Sequence, residues 1–256
     1  MVTKPIIVGV IPARYASERL PAKPLVDLLG KPMIQRVYEQ AKKARMLSRV
    51  VVATDDVRIE KAVSNFGGDV MLTSPEIKSG SDRVAAVASK IDGDIFINIQ
   101  GDEPLIASEM IDQAAQLLLD DVSAPVATLV KKIDSVVDLL NSNVVKVILN
   151  HEMCGLYFSR TAIPYVRDQA NIATWLDHCV FYKHIGLYVF RSDFLKRYAQ
   201  LPISNLEKAE KLEQLRILEA GYKIKIGITN FDSIPIDTPD DVERVVSILR
   251  QTSYGI

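Results

Sequence analysis

Short apolar runs rich in Ile and Val alternate along the chain with stretches of helical periodicity. Residues 6–11 read as a strand buried on both faces, an unbroken apolar run closed by Pro12. Pro32 opens a helix that runs to about Ala44, with proline suited to the first helical position. Residues 49–53 form a second strand, and Thr54-Asp55-Asp56 caps a helix that ends before Gly67-Gly68. A short strand at 69–72, a helix at 81–90, a strand at 95–99, a helix near 108–120 and a strand near 126–130 follow. This repeated β-α-β order predicts an α/β fold: a three-layer, mostly parallel, Rossmann-like sheet with helices on both faces.

The alternation loosens between about residues 134 and 191. Strand-like runs stand at 144–149, 156–158 and 184–190, while the stretch between Ile163 and Tyr182 lacks a helical stripe. An insertion carrying antiparallel strands or a long loop fits this segment. Helices at 192–199 and 206–220, a strand at 223–228 and a last helix capped by Thr238 with Pro239 restore the α/β pattern. With no repeat and no Gly/Ser linker, the expectation is one domain, 1–256, bearing an elaboration at about 134–191.

Composition narrows the chemistry. The 31 Lys and Arg against 32 Asp and Glu argue against a polyanion-coating protein but leave room for a local basic pocket. Cys154 and Cys179 stand apart with no zinc-finger spacing, so neither a disulfide scaffold nor a structural zinc site is expected. The apolar run near the N-terminus is too short for a signal core or a membrane span, and a cytoplasmic enzyme is expected.

In open parallel sheets ligands bind beyond the carboxyl ends of the strands. The segment after the first strand carries Arg14, Arg19 and Lys23 among small residues. It can wrap a polyphosphate, or it can be a solvated connector. It is neither a Walker A loop nor a GxGxxG fingerprint, which argues against a dinucleotide-dependent dehydrogenase. Gln100-Gly101-Asp102-Glu103-Pro104 follows the strand at 95–99. Its carboxylates suit a hard divalent cation with open positions for phosphate, or one of them caps the next helix. Asp237 is expected at the end of the last strand, where Thr238 caps the helix and leaves the acid for other work.

Eight segments together resemble the 3-deoxy-manno-octulosonate cytidylyltransferase (CMP-Kdo synthetase) family. They are IPARYASERLPAKPL at 11–25, GKPM at 30–33, SGSDR at 79–83, NIQGDEP at 98–104, LYFSRTAIP at 156–164, HIGLY at 184–188, LEQLR at 212–216 and IDTP at 236–239. The likeness spans nearly the whole chain in order. Ala22 departs from the family's usual Gly in RLPGKPL, and Ser81-Asp82 stands where the family often has Thr-Glu.

The resemblance implies a nucleotide-diphospho-sugar transferase fold. It implies magnesium-dependent transfer of CMP from CTP to the anomeric hydroxyl of Kdo, for lipopolysaccharide synthesis. It also implies a homodimer built on the middle insertion, with neither nucleic acid nor membrane as partner. On it, Ala13, Arg14 and Lys23 would hold the triphosphate, Ser79, Arg83 and Gln100 would read the cytidine, and Asp102 and Asp237 would bind magnesium. Arg160, Arg167, His184, Tyr188, Glu213 and Gln214 would surround the sugar. A guanidinium suits the sugar's carboxylate, and mixed donors and acceptors suit its hydroxyls. Glu213 and Gln214 also fit an ordinary solvated face of a helix at 206–220. Other readings are a cytidylyltransferase for sialic acid or an 8-amino Kdo analogue, and a non-catalytic sugar-nucleotide-binding protein.

Overall fold

The computed structural model describes residues 4–16 and 20–253. In chain order the first half holds β1 (Ile7–Ala13), α1 (Met33–Ala41), β2 (Arg49–Thr54), α2 (Val57–Asn65), β3 (Val70–Leu72), α3 (Gly80–Ala88), β4 (Ile95–Asn98) and α4 (Ser108–Asp120). Then come β5 (Val126–Lys132), α5 (Val136–Leu140), β6 (Lys146–Leu149), β7 (Gly155–Ser159), α6 (Trp175–His178) and β8 (Tyr182–Arg191). The chain closes with α7 (Ser192–Tyr198), α8 (Asn205–Glu210), α9 (Gln214–Glu219), β9 (Ile224–Ile228) and α10 (Pro239–Ser253). Two compact units form: Met1–Asp112 with Asp232–Ile256, and Gln113–Phe231. The second is wider than the elaboration expected at 134–191.

In the first unit the strands order β3-β2-β1-β4, every neighbouring pair parallel. Their apolar runs are continuous because both faces are covered; β1 is buried from Ile7 to Ile11 and β4 throughout. Helices α1 and α2 step the chain to one side of β1, and the connection through α3 returns it to the other. The strand order therefore switches between β1 and β4, and a crevice opens beyond their carboxyl ends. The strand does not stop at Pro12, as expected, but runs to Ala13, pairing Pro12 with Ala53 of β2. Pairing with β4 has already ended at Val10–Asn98, so the missing proline N–H costs no ladder bond on that side. Asp56 caps α2 by accepting from the Arg58 N–H, and α10 packs Val245 with Leu28, Met33 and Ile236.

The second unit is mixed. Strand β5 pairs parallel with β9 and antiparallel with β8, while β6 pairs antiparallel with β7 and β8. Between Ile163 and Tyr182 the only regular pieces are the turn at Ile172–Thr174 and α6; Trp175 and Phe181 anchor this segment with Ile133 and Leu139.

The single helix expected at 206–220 is two helices. Ser204 and Glu207 close a capping box at the start of α8, and Lys211 ends it in the left-handed region at φ +55°. The Arg216 guanidinium grips the Glu207 carboxylate across the break, Nε to Oε2 at 2.7 Å and Nη2 to Oε1 at 2.6 Å, both side chains nearly buried. This break turns Gln214 inward.

Candidate active site

The crevice of the first unit is a cleft of about 190 Å³ bordered by Ala13, Arg14, Lys23, Gln100, Gly101 and Asp102. Gly101 lets the loop after β4 lie against the end of β1: a Cβ there would sit 2.6 Å from the Pro12 carbonyl oxygen. Asp102 is held by its own backbone, whose carbonyl accepts from the Ile236 N–H at 2.9 Å. The same contact sets the next residue, Asp237, nearby. Asp237 is not at a strand end, as expected; β9 finishes at Ile228, and Asp237 lies in the irregular approach to α10. The Thr238 hydroxyl and the Asp241 carboxylate bond each other at the start of α10, with Oγ1 donating to Oδ2 at 2.9 Å.

Lys23 joins the two acids. Its Nζ donates to Asp102 Oδ2 at 2.6 Å and to Asp237 Oδ1 at 2.8 Å. Burial acts to lower the Lys23 pKa, but the two carboxylates outweigh it and leave it above the ordinary lysine value. The preceding Ala22 is left-handed at φ +54°, which accounts for the usual glycine at this position; alanine there costs about 1 kcal/mol in backbone strain. Glu103, the other acid of this loop, is turned inward. It is 4 % exposed, and burial, then the Asp102 charge, push its carboxyl up to about 7 despite a hydrogen bond with Ser233. Asp102 is the acid of this loop that faces the Lys23 ammonium.

Arg14 extends into solvent, donating Nη1–H to the Lys78 carbonyl at 3.2 Å and lying 3.7 Å from Asp55. Arg19 lies outside the described residues. Ser79 caps α3, its Oγ accepting from the Asp82 N–H at 3.0 Å and bonding the Asp82 carboxylate at 2.7 Å. Arg83, expected to read the cytidine, is a buried brace. It is 1 % exposed, with Nη2 on Asp55 Oδ2 at 2.9 Å and the Ile77 carbonyl at 3.2 Å, and with Nη1 on the Thr73 hydroxyl. Asp55, which the sequence suggests as part of a helix cap, stands directly after β2 and supports Arg14, while Asp56 is the cap.

The second unit holds a half-buried His184 and buried Tyr188 and Gln214 as polar groups. The His184 ring lies edge-on to Phe158 at 5.4 Å and 5.0 Å from the Tyr188 ring, and burial pushes its pKa down to about 3. Tyr188 Oη and Gln214 Nε2 are buried with no hydrogen-bond partner among the described residues. Burial, then the nearby Glu213 charge, raises the Tyr188 pKa well above the ordinary phenol. Gln214, 4 % exposed, is thus not part of a solvated helix face, while Glu213 is half-buried at the start of α9. Buried donors and acceptors of this kind suit a polar ligand.

Two expected sugar contacts are placed otherwise. Arg160 donates Nε–H to the Glu210 carbonyl at 2.7 Å, Nη1–H to the Ser142 carbonyl at 3.1 Å and Nη2–H to the Lys211 carbonyl at 3.4 Å. It therefore ties down the end of α8. The Arg167 side chain is 92 % exposed, 3.9 Å from Asp168, so the desolvated guanidinium expected for a carboxylate pocket is not formed there.

Residues 8–225 match the cytidylyltransferase family. The 3-deoxy-manno-octulosonate cytidylyltransferase of Geobacter metallireducens is 49% identical over 249 residues, 96% of this chain and 98% of that one. Its counterpart in Parabacteroides distasonis is 52% identical over 248 residues, 94% of this chain and 97% of that one. Among solved structures, a CMP:2-keto-3-deoxy-manno-octonic acid synthetase complexed with CTP matches at TM-score 0.90 with 44% identity, covering 96% of this chain and 99% of that one.

Proposed function

This chain belongs to the cytidylyltransferase family, within it to the 3-deoxy-manno-octulosonate cytidylyltransferases, and from that premise we propose that it transfers CMP from CTP to the anomeric hydroxyl of 3-deoxy-D-manno-octulosonate (Kdo), releasing pyrophosphate. The observation that carries this reading is the Lys23–Asp102–Asp237 cluster at the rim of the cleft that Arg14 and Gln100 also line.

Its donor set suits magnesium. Asp102 and Asp237 converge on one cationic nitrogen, and a hard divalent ion takes one or two carboxylates and completes its shell with water and phosphate oxygens. Among the described residues no group of three or more His, Cys, Asp or Glu is placed to hold a metal unaided, which fits an ion shared with the nucleotide. When bound, magnesium would neutralise phosphate charge at the reacting centre.

The chain's own residues do the rest. Arg14 and the Lys23 ammonium, drawn from the acids to the phosphates, would offset the charge that develops on pyrophosphate as it leaves. Gln100 and the fixed backbone of the turn at 79–83 would present donor and acceptor to the cytosine edge, so CTP is favoured over UTP and far over purine nucleotides. His184, Tyr188, Glu213 and Gln214 would orient the sugar for in-line attack on the α-phosphorus. A homodimer in the cytoplasm completes the proposal. The exposed Val137, Leu140, Leu156 and Tyr165 of the second unit are apolar surface that a second copy would cover, and among the described residues no helix is long and apolar enough to cross a membrane.

Pyrophosphate release over a grid of CTP, UTP and ATP against Kdo, 8-amino-Kdo and sialic acid, with and without magnesium, tests the reading. CTP with Kdo and magnesium is the expected optimum. Equal rates with ATP, or full activity in chelator, would overturn the corresponding part.

A further inference from the structure

Thr128 is a hydroxyl residue in the apolar strand β5, and it is fully buried. The register with β8 slips beside it: Thr128 faces Tyr188 and the next residue, Leu129, faces Ile185, so Gly186 and Leu187 are extra residues in β8. The bulge has two effects. Along a regular strand four residues span about 13 Å. Here His184 and Tyr188 face Val130 and Thr128, only two residues apart on β5, and their rings come to 5.0 Å. The bulge also aims two carbonyls at one hydroxyl. Thr128 Oγ1 lies 2.7 Å from the Leu187 oxygen and 3.1 Å from the Ile185 oxygen.

The third neighbour of that hydroxyl is His184 Nε2, at 3.1 Å. A threonine hydroxyl has one proton and two lone pairs, and a carbonyl oxygen can only accept. If the proton pointed at the ring, the hydroxyl lone pairs would face both carbonyl oxygens at hydrogen-bond distance. The proton therefore goes to a carbonyl, Leu187 being nearer, and the ring must be the donor to Oγ1. We propose that Thr128 is a positioning residue that fixes His184 as the neutral tautomer protonated at Nε2, leaving Nδ1 bare to accept a hydrogen bond from a hydroxyl of the bound sugar. The surroundings keep the ring neutral, since burial drives its pKa to about 3. His184 then reads a hydroxyl, and the sugar's carboxylate is met by another group.

The tautomer stands on the Thr128 geometry and the neutrality of the ring, while its role toward a sugar rests on the Kdo reading. Nitrogen NMR of protein labelled at the histidine ring nitrogens separates the two. The chain has three histidines, and His184→Gln assigns the signal. The expected spectrum shows a protonated Nε2 and a bare Nδ1, kept in Thr128→Ser and lost to a tautomer mixture in Thr128→Val. Losing one oriented hydrogen bond predicts about a ten-fold higher KM for Kdo in Thr128→Val, with the KM for CTP unmoved and Thr128→Ser within about two-fold of wild type. A proton on Nδ1 in the unsubstituted protein overturns the tautomer, whether or not any variant folds. A shifted tautomer in Thr128→Val with an unchanged Kdo KM overturns the acceptor role. Absence of Kdo turnover in the unsubstituted protein, with the tautomer as expected, would instead count against the functional reading.

Discussion

The two units build their polar groups into sites by opposite means. In the first, charged side chains meet at strand ends and in loops and neutralise one another: Lys23 with Asp102 and Asp237, and Arg14 and Arg83 with Asp55. In the second, the site groups His184, Tyr188 and Gln214 are neutral beside the single charge of Glu213, and Tyr188 Oη and Gln214 Nε2, like Asn98 Oδ1 in the first, have no hydrogen-bond partner among the described residues. A paired, part-exposed ion can trade partners cheaply, because solvent and counter-charge stay close at hand. An orphaned buried hydroxyl already carries a desolvation cost, about 1–3 kcal/mol, that a ligand's hydrogen bond would recover. The first arrangement suits charge transfer among phosphates. The second suits selection of a hydroxyl-rich ligand.

The largest expected effect lies in the ionic unit. Asp102→Asn should lower turnover by about 10²–10³-fold, comparable to removing one transition-state electrostatic contact. The melting temperature should hold near wild type, since Asp102 keeps its backbone bond to Ile236. Near-normal turnover at limiting magnesium would remove Asp102 from the site.

Next comes the proton balance of the neutral unit. His184 has a folded pKa of about 3 against an ordinary value of 6.5, so the unfolded chain binds the extra proton first. Its contribution is intact above pH ~6.5 and is lost as pH falls toward 3, by about 1.4 kcal/mol per unit. Between pH 7.5 and 4.5 His184→Gln should thus lose about 2–3 kcal/mol less stability than wild type in urea titrations. Parallel curves for the two proteins would mean that the ring titrates as an ordinary histidine.

Tyr188→Phe separates stability from function. Deleting the orphaned hydroxyl should raise stability by about 1 kcal/mol while raising the Kdo KM by about ten-fold. Thermal melts and initial rates on one preparation test both signs, and a destabilised variant with unchanged KM would show that the hydroxyl is satisfied in solution. Smallest of all, Arg167→Ala should change stability by less than about 0.5 kcal/mol and the Kdo KM by less than about three-fold, as befits a surface residue. A ten-fold rise would show that the segment around Arg167 closes on the sugar, and the contrast between charged and neutral units would fail there.

Much of this molecule was legible in its residue order. Periodicity located the strands and helices of the first unit because parallel strands buried on both faces are continuous apolar runs. Residue type singled out Arg14, Lys23 and Asp102 in the loops beyond β1 and β4, and these three border one cleft. Three features depended on distant contacts and only the tertiary structure decided them. Arg83 sits in a motif like a ligand reader, yet Asp55, brought from the end of β2, turns it into a brace. The left-handed Lys211 and the Glu207–Arg216 pair cut an apparently continuous helical pattern, because a buried two-pronged ion pair outweighs a few residues of helix propensity. The bulge opposite Thr128 joins His184 to Tyr188, and a strand's own alternation of residues carries no record of the register its neighbour will impose.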